Sequence, residues 1–317
     1  LVITALADAL RQGPVVLDGG LATQLENQGH DLNSELWSAR LLNDDPDAVV
    51  AAHCAYFAAG AQVATTASYQ ASMGGFAKAG VGRTEAIQLI KRSVRLAEQA
   101  RASCDDAKQR WIAGSVGPYG AALADGSEYR GNYGLSVAEL REWHRPRIQL
   151  LAEAGVDILA LETIPCLAEV EALLTEVAGS EHPCWLSITC VGDRTRAGEP
   201  VTEAFALARD VEEIIAVGVN CIDPAKACAL VRIAGESTGK PVVVYPNGGE
   251  QWDASARAWV GPATFHPQDV EDWISGGARL VGGCCRVGPT EIKAIHDLVL
   301  ERGLIVQDRS SAESPMP

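Results

Sequence analysis

Positive charge is scarce in this 317-residue chain. Its 26 Lys and Arg face 41 Asp and Glu, a formal net charge of −15. That balance excludes a surface built to follow a phosphate backbone, which needs basic stripes. Long apolar runs are missing too. None reaches the roughly 18 residues that span a bilayer, so a membrane partner is not expected. No glycine-rich loop ends in Lys-Ser/Thr and no GxGxxG opens a helix after the first strand, so the common nucleotide and dinucleotide motifs are absent. The six histidines show no metal-ligand spacing. The opening residues carry no cationic segment or cleavage site, which sets the expectation of no secretory leader. Nine cysteines, an odd and irregularly spaced set, do not describe a disulfide scaffold. Reduced thiols in a cytoplasmic protein are expected instead.

What is present is ample apolar material, 47% of the chain. It is gathered into eight short β-branched runs at 15–17, 62–66, 111–116, 158–161, 185–189, 216–219, 242–245 and 280–281. Runs without polar alternation suit parallel strands buried on both faces. Between them lie amphipathic stretches with helical spacing, at 47–59, 83–102, 136–154, 167–177 and 288–299. Ser136 with Glu139 makes a capping box, Asp223-Pro224 an N-cap with its first-turn proline, and Pro146 a kink inside the third long helix. Eight strand–helix units predict one α/β fold, a single (β/α)8 barrel over residues 1–307, rather than a doubly wound sheet. Residues 308–317 read as a disordered tail. Elaborated loops are expected after strands one to three, notably at 117–135. No heptad or swapping arm is visible, so a monomer or small homo-oligomer is expected.

Polar residues close most of these runs. Asp18, Thr65-Thr66, Ser115, Glu162, Asn220-Cys221, Asn247 and Cys284-Cys285 stand at strand ends, where barrels build their active face. Cys221, Cys284 and Cys285 can converge there as three soft ligands with an open fourth position, a pattern that selects zinc. Both vicinal cysteines can reach one ion only if the strand ends in a turn, and Gly282-Gly283 is expected to give that freedom. Buried small residues and a vicinal disulfide are the alternatives. Asp18 and Glu162 can cap turns, grip an ammonium, or act as an acid/base pair in a hydrolase or lyase. A thiol-zinc module without turnover is a further reading. Backbone N–H groups around Ser115-Val116-Gly117 offer an anion nest. Tyr129 and Tyr133, in the glycine-rich loop, can face a cationic methyl donor.

Six blocks together resemble the homocysteine S-methyltransferase family: Leu17-Asp18-Gly19-Gly20, Thr65-Thr66-Ala67-Ser68-Tyr69, Gly114-Ser115-Val116-Gly117-Pro118-Tyr119-Gly120, Leu161-Glu162-Thr163, Gly218-Val219-Asn220-Cys221 and Gly282-Gly283-Cys284-Cys285. The resemblance implies a zinc-dependent barrel with Cys221, Cys284 and Cys285 as ligands. It implies that Asp18 and Glu162 bind the homocysteine ammonium, with Gly19, Thr65, Tyr69 and Ser115 about the substrate. The Ala-Asp-Gly-Ser-Glu-Tyr stretch after Gly120 is similar to the branch that uses S-methylmethionine rather than betaine. S-Adenosylmethionine as a second donor and a selenium acceptor stay open. The implied partners are two small molecules, homocysteine and a sulfonium donor.

Overall fold

The computed structural model describes residues 5–32, 38–253 and 258–303; the expected tail at 308–317 lies outside them. Eight parallel strands form one sheet: β1 (Val15–Val16), β2 (Val63–Thr65), β3 (Trp111–Val116), β4 (Ile158–Ile164), β5 (Cys184–Ile188), β6 (Ile214–Asn220), β7 (Val242–Tyr245) and β8 (Ala278–Val281). Each pairs with its neighbour in sequence, and β8 pairs with β1. A parallel bridge from Leu17 to Val63 completes the ring between β1 and β2. The expected barrel is therefore the observed one. All eight apolar runs contain a strand.

Alternation along the strands sorts the core into two layers. Val15, Leu17, Val63, Trp111, Ala113, Ile158, Ala160, Trp185, Ala216, Val243, Tyr245 and Leu280 fill the barrel interior. Their neighbours Val16, Ala64, Ile112, Leu159, Leu161, Leu186, Val217 and Val244 face the surrounding helices. The N-terminal helix Leu6–Gln12 adds Leu6 and Leu10 to the interior cluster. Burying such side chains contributes about 1.5–3 kcal/mol each, so the barrel wall is a stiff frame for whatever its rim carries.

Helices Arg83–Ala102 and Leu167–Val177 match their expected spans, and Ser136 caps Val137–Glu153 through the capping box. That helix contains Pro146. Helices Leu21–Asn27, Ser38–Asp44 and Met73–Lys78 fall in the loops after β1 and β2, where the expected elaboration lies. Two two-stranded hairpins, Cys190–Val191 with Arg194–Thr195 and Gln251–Asp253 with Ala258–Val260, extend the loops after β5 and β7. Among the described residues, no helix is long and apolar enough to cross a membrane.

Candidate functional site at the carboxyl ends of the strands

Period-two alternation carries each interior face up to the rim. Thr65 follows Val63, Ser115 follows Ala113, Glu162 follows Ala160, and Tyr245 follows Val243. All four line one cleft of about 820 Å3, open mouth included. The same cleft is lined by Asp18, Gly19, Tyr69, Tyr129, Thr163, Cys221, Cys284 and Cys285. Sequence reasoning named most of these residues, and the fold brings them together.

The thiol cluster is built by three distortions. Cys221 leaves β6 in the left-handed region (φ 49°), a conformation costly for a side chain with a Cβ. On β4 the register slips between Leu161 and Ile164, and Thr163 is left-handed as well (φ 61°). Asn220 holds that bulge: its Oδ1 accepts from the Thr163 N–H at 2.8 Å and its Nδ2 donates to Thr163 Oγ1 at 2.7 Å. After β8 the chain turns, with Gly283 N–H donating to Asp18 O, Cys284 N–H to Pro246 O, and Gly248 N–H to Cys285 O. Gly282 and Gly283 serve by lacking volume, not by unusual dihedrals. A Cβ on Gly282 would strike Leu17, and one on Gly283 would strike Val287. The left-handed residue in this turn is Arg286 (φ 67°).

The Sγ atoms of Cys221, Cys284 and Cys285 thereby lie within 4.8 Å of one another. Cys221 and Cys284, with Cα atoms 5.7 Å apart, are in disulfide contact, a pairing that neither the vicinal nor the all-reduced expectation contained. As thiolates the three sulfurs fit one soft metal ion, and among the described residues no fourth His, Cys, Asp or Glu closes the set. Burial pushes the Cys285 thiol up to about 12, with Glu26, Glu128 and Glu162 adding to the rise. A thiol so placed stays protonated at neutral pH until positive charge arrives.

Asp18 is almost wholly buried (4% exposed). Its Oδ2 accepts from the Thr65 N–H at 2.6 Å, and its Oδ1 accepts from Thr65 Oγ1 at 2.9 Å. Burial outweighs those bonds and, helped by the charge of Glu162, raises its pKa to about 8. Glu162 accepts from the Ser115 hydroxyl and from Tyr245 OH, and burial raises its pKa as well. Tyr245 in turn accepts from Trp185 Nε1 at 3.0 Å. Thr65 and Ser115 thus orient carboxylates. Gly19 is required because a Cβ there would meet Val287 O and the Tyr56 ring.

Other expectations are redistributed. The Ser115 N–H donates to Thr66 Oγ1 at 3.0 Å, so that amide of the expected anion nest is spent internally. Tyr129 lines the cleft, but the Arg196 guanidinium stacks over its ring at 5.2 Å. Tyr133 is not among the lining residues; its ring packs edge-on against Tyr119. Asn247 also lies outside the lining. Tyr245 and Glu128 were missed as site residues. Strand alternation was the signal for Tyr245, whereas Glu128 lies in an irregular loop without a period to read.

A profile of the homocysteine S-methyltransferase family matches residues 15–299. The chain is 42% identical over 294 residues to Homocysteine S-methyltransferase YbgG of Bacillus subtilis, covering 89% of this chain and 93% of that protein. It is 39% identical over 321 residues to a selenocysteine Se-methyltransferase of Brassica oleracea, covering 95% and 93%. The crystal structure of the homocysteine methyltransferase MmuM from Escherichia coli, metallated form, superposes with a TM-score of 0.83 at 39% identity, covering 93% of this chain and 99% of that one. Its oxidized form superposes equally well, again with a TM-score of 0.83. A rim of converging thiols and buried carboxylates on a (β/α)8 frame, matched along nearly the whole chain, places this protein among enzymes: it belongs to the homocysteine S-methyltransferase family.

Proposed function

We propose that the protein transfers a methyl group from S-methylmethionine to the sulfur of homocysteine, with zinc held by Cys221, Cys284 and Cys285. The carrying observation is a cleft lined by three converging cysteines and by the carboxylates of Asp18, Glu128 and Glu162, with no Lys, Arg or His among the described residues of its wall. Such a lining favours cationic ligands, and the substrates on this reading bring an ammonium each and a sulfonium.

Zinc, when bound, supplies the positive charge that keeps the acceptor sulfur a thiolate at neutral pH. Asp18 and Glu162 take the homocysteine ammonium, and each is oriented for it by bonds from Thr65, or from Ser115 and Tyr245. That contact turns the acceptor sulfur toward the donor methyl. A new S–C bond forms as the methyl–sulfonium bond breaks, and both electrons leave on the donor sulfur. The leaving group is a neutral thioether and needs no proton, consistent with a cleft that has no histidine among the described residues of its wall. Positive sulfonium and negative thiolate neutralise each other during transfer, so a buried cleft favours the reaction over its charged ground state. The products are two molecules of methionine, and the thiol proton is released to solvent.

The test is methionine formation by reduced, zinc-loaded protein with homocysteine and each of S-methylmethionine, S-adenosylmethionine, betaine and a methylated folate. S-Methylmethionine is expected to give the highest kcat/KM. Preference for betaine or folate would replace the donor assignment. The Brassica relative supports a second acceptor, selenocysteine, which the same assay can include.

A further inference from the structure

One residue in the cleft wall has no part in the chemistry above. Glu128 sits in the single-turn segment Ser127–Tyr129, is nine-tenths buried (9% exposed) and lines the cleft. Its Oε2 makes no hydrogen bond. Asp18 and Glu162 each accept two. A buried carboxylate oxygen without a donor is costly. Of the three such oxygens among the described residues, on Glu128, Glu169 and Glu250, only that of Glu128 belongs to a cleft-lining residue, where a partner from outside the chain can reach it.

Among the described residues no arginine bonds to that oxygen, and those about the cleft are engaged elsewhere. Arg130 pairs with Asp125 and donates to Ser127 Oγ. Arg147 donates to the carbonyls of Tyr69 and Gly117. Arg196 donates to Thr189 Oγ1 and the Cys221 carbonyl, and covers Tyr129. Glu128 lines the same cleft as Tyr69, Tyr129 and Cys285.

The backbone is shaped to hold it there. Gly126 enters the turn with φ 78°, and the Ser127 N–H donates to Asp125 Oδ1 at 2.9 Å. The Gly131 N–H closes the turn on Ser127 O at 2.9 Å. Gly120 lies so close beneath that a Cβ there would strike the Glu128 nitrogen. The carboxylate is therefore presented by a stiff turn. It is not a side chain that happens to fold inward.

Resting on the reading that the donor is S-methylmethionine, we infer that Glu128 receives the donor's α-ammonium and selects amino-acid sulfonium donors. Homocysteine brings one ammonium, which Asp18 and Glu162 share; the donor brings the second. A carboxylate lone pair calls for an N–H, and an ammonium offers three. A quaternary ammonium such as betaine offers none, so Glu128 favours the former class by a bond the latter cannot make.

The test is steady-state kinetics of the wild type, Glu128→Gln and Glu128→Asp, varying homocysteine and S-methylmethionine separately, with Tm measured on each protein. Glu128→Gln keeps shape and removes charge. It is expected to raise the KM for S-methylmethionine about tenfold or more, the loss of a charge-assisted bond, and to leave that for homocysteine within about twofold. Its Tm is expected to equal or exceed that of the wild type, because an unpaired buried charge is gone. Glu128→Asp, with the charge drawn back, is expected to fall between. A KM for S-methylmethionine within about twofold of wild type would overturn the inference. So would a parallel rise in both KM values with a lowered Tm, which marks a structural role. Wild-type protein that makes no methionine from this donor would overturn the functional reading and this inference with it.

Discussion

Asp18 holds its proton at neutral pH in the ligand-free cleft, because burial raises its pKa from 3.8 to about 8. An arriving ammonium reverses that, since an opposite charge favours the carboxylate. Two consequences follow with opposite signs. The folded protein retains a proton that the unfolded chain releases between about pH 4 and 8, so the stability tied to Asp18 falls as pH rises through that window. Asp18→Asn is therefore expected to have a higher Tm than wild type above pH 8, with the gap closing toward pH 4, as thermal melts would read. Homocysteine binding by the wild type is expected to tighten as pH rises toward 8, and Asp18→Asn to lose both the affinity and the trend. Glu162→Gln is expected to raise the KM for homocysteine about tenfold, since a charged hydrogen bond to the ammonium becomes a neutral one. An unchanged KM would move the ammonium to another partner.

At the scale of elements, the site depends on strand ends that break their own regularity. Thr163 and Cys221 both adopt left-handed backbone, and Asn220 ties the first to the strand that carries the second. Asn220→Ala removes two hydrogen bonds that hold the bulge on β4. It is expected to weaken zinc binding about tenfold without replacing a ligand, since Asn220 Nδ2 also donates to Cys284 Sγ at 4.0 Å; that is the usual magnitude for groups that orient a metal site. Competition with a chromophoric chelator would measure it. Affinity equal to wild type would show that the cysteines hold their positions unaided. Little of this was legible in the chain. Asn220 reads as a polar strand end, but nothing in its neighbours marks it as a clamp on residues 57 positions away. The glycine pair before Cys284 was legible as a turn, yet its reason is crowding against Leu17 and Val287, which only the closed ring creates. Long helices announced themselves, Arg83–Ala102 to the residue, because five turns display a period. Leu21–Asn27 and Met73–Lys78, at seven and six residues, are too short to show one.

For the whole molecule, eight apolar runs made the barrel legible because a strand buried on both faces has no polar alternation to disguise it. Closure was not written in any one run. It rests on Leu17 reaching Val63 across the seam, one residue beyond β1. The ring then brings together residues 203 apart by register alone: Asp18 and Cys221 share a cleft although nothing local links them. The carboxylates and cysteines were legible as strand-end residues, whereas Glu128 and the spent Ser115 amide depend on loop packing and a cross-strand bond. The −15 charge of the chain has a local counterpart in a cleft wall without cationic side chains among the described residues.

Three thiols and a cation-seeking cleft make a metal requirement the central claim. The disulfide contact between Cys221 and Cys284 sets the conditions of its test, since oxidised sulfurs cannot serve as thiolate ligands. The direct measurement follows zinc content and methionine formation on one preparation. The protein is first fully reduced, then stripped with a chelator, then titrated with zinc. Activity is expected to vanish on stripping and to return in proportion to bound zinc, levelling off at about one ion per chain, as three ligands at one open site require. Full turnover by the stripped protein, or zinc bound at the cysteines without any return of activity, would contradict it.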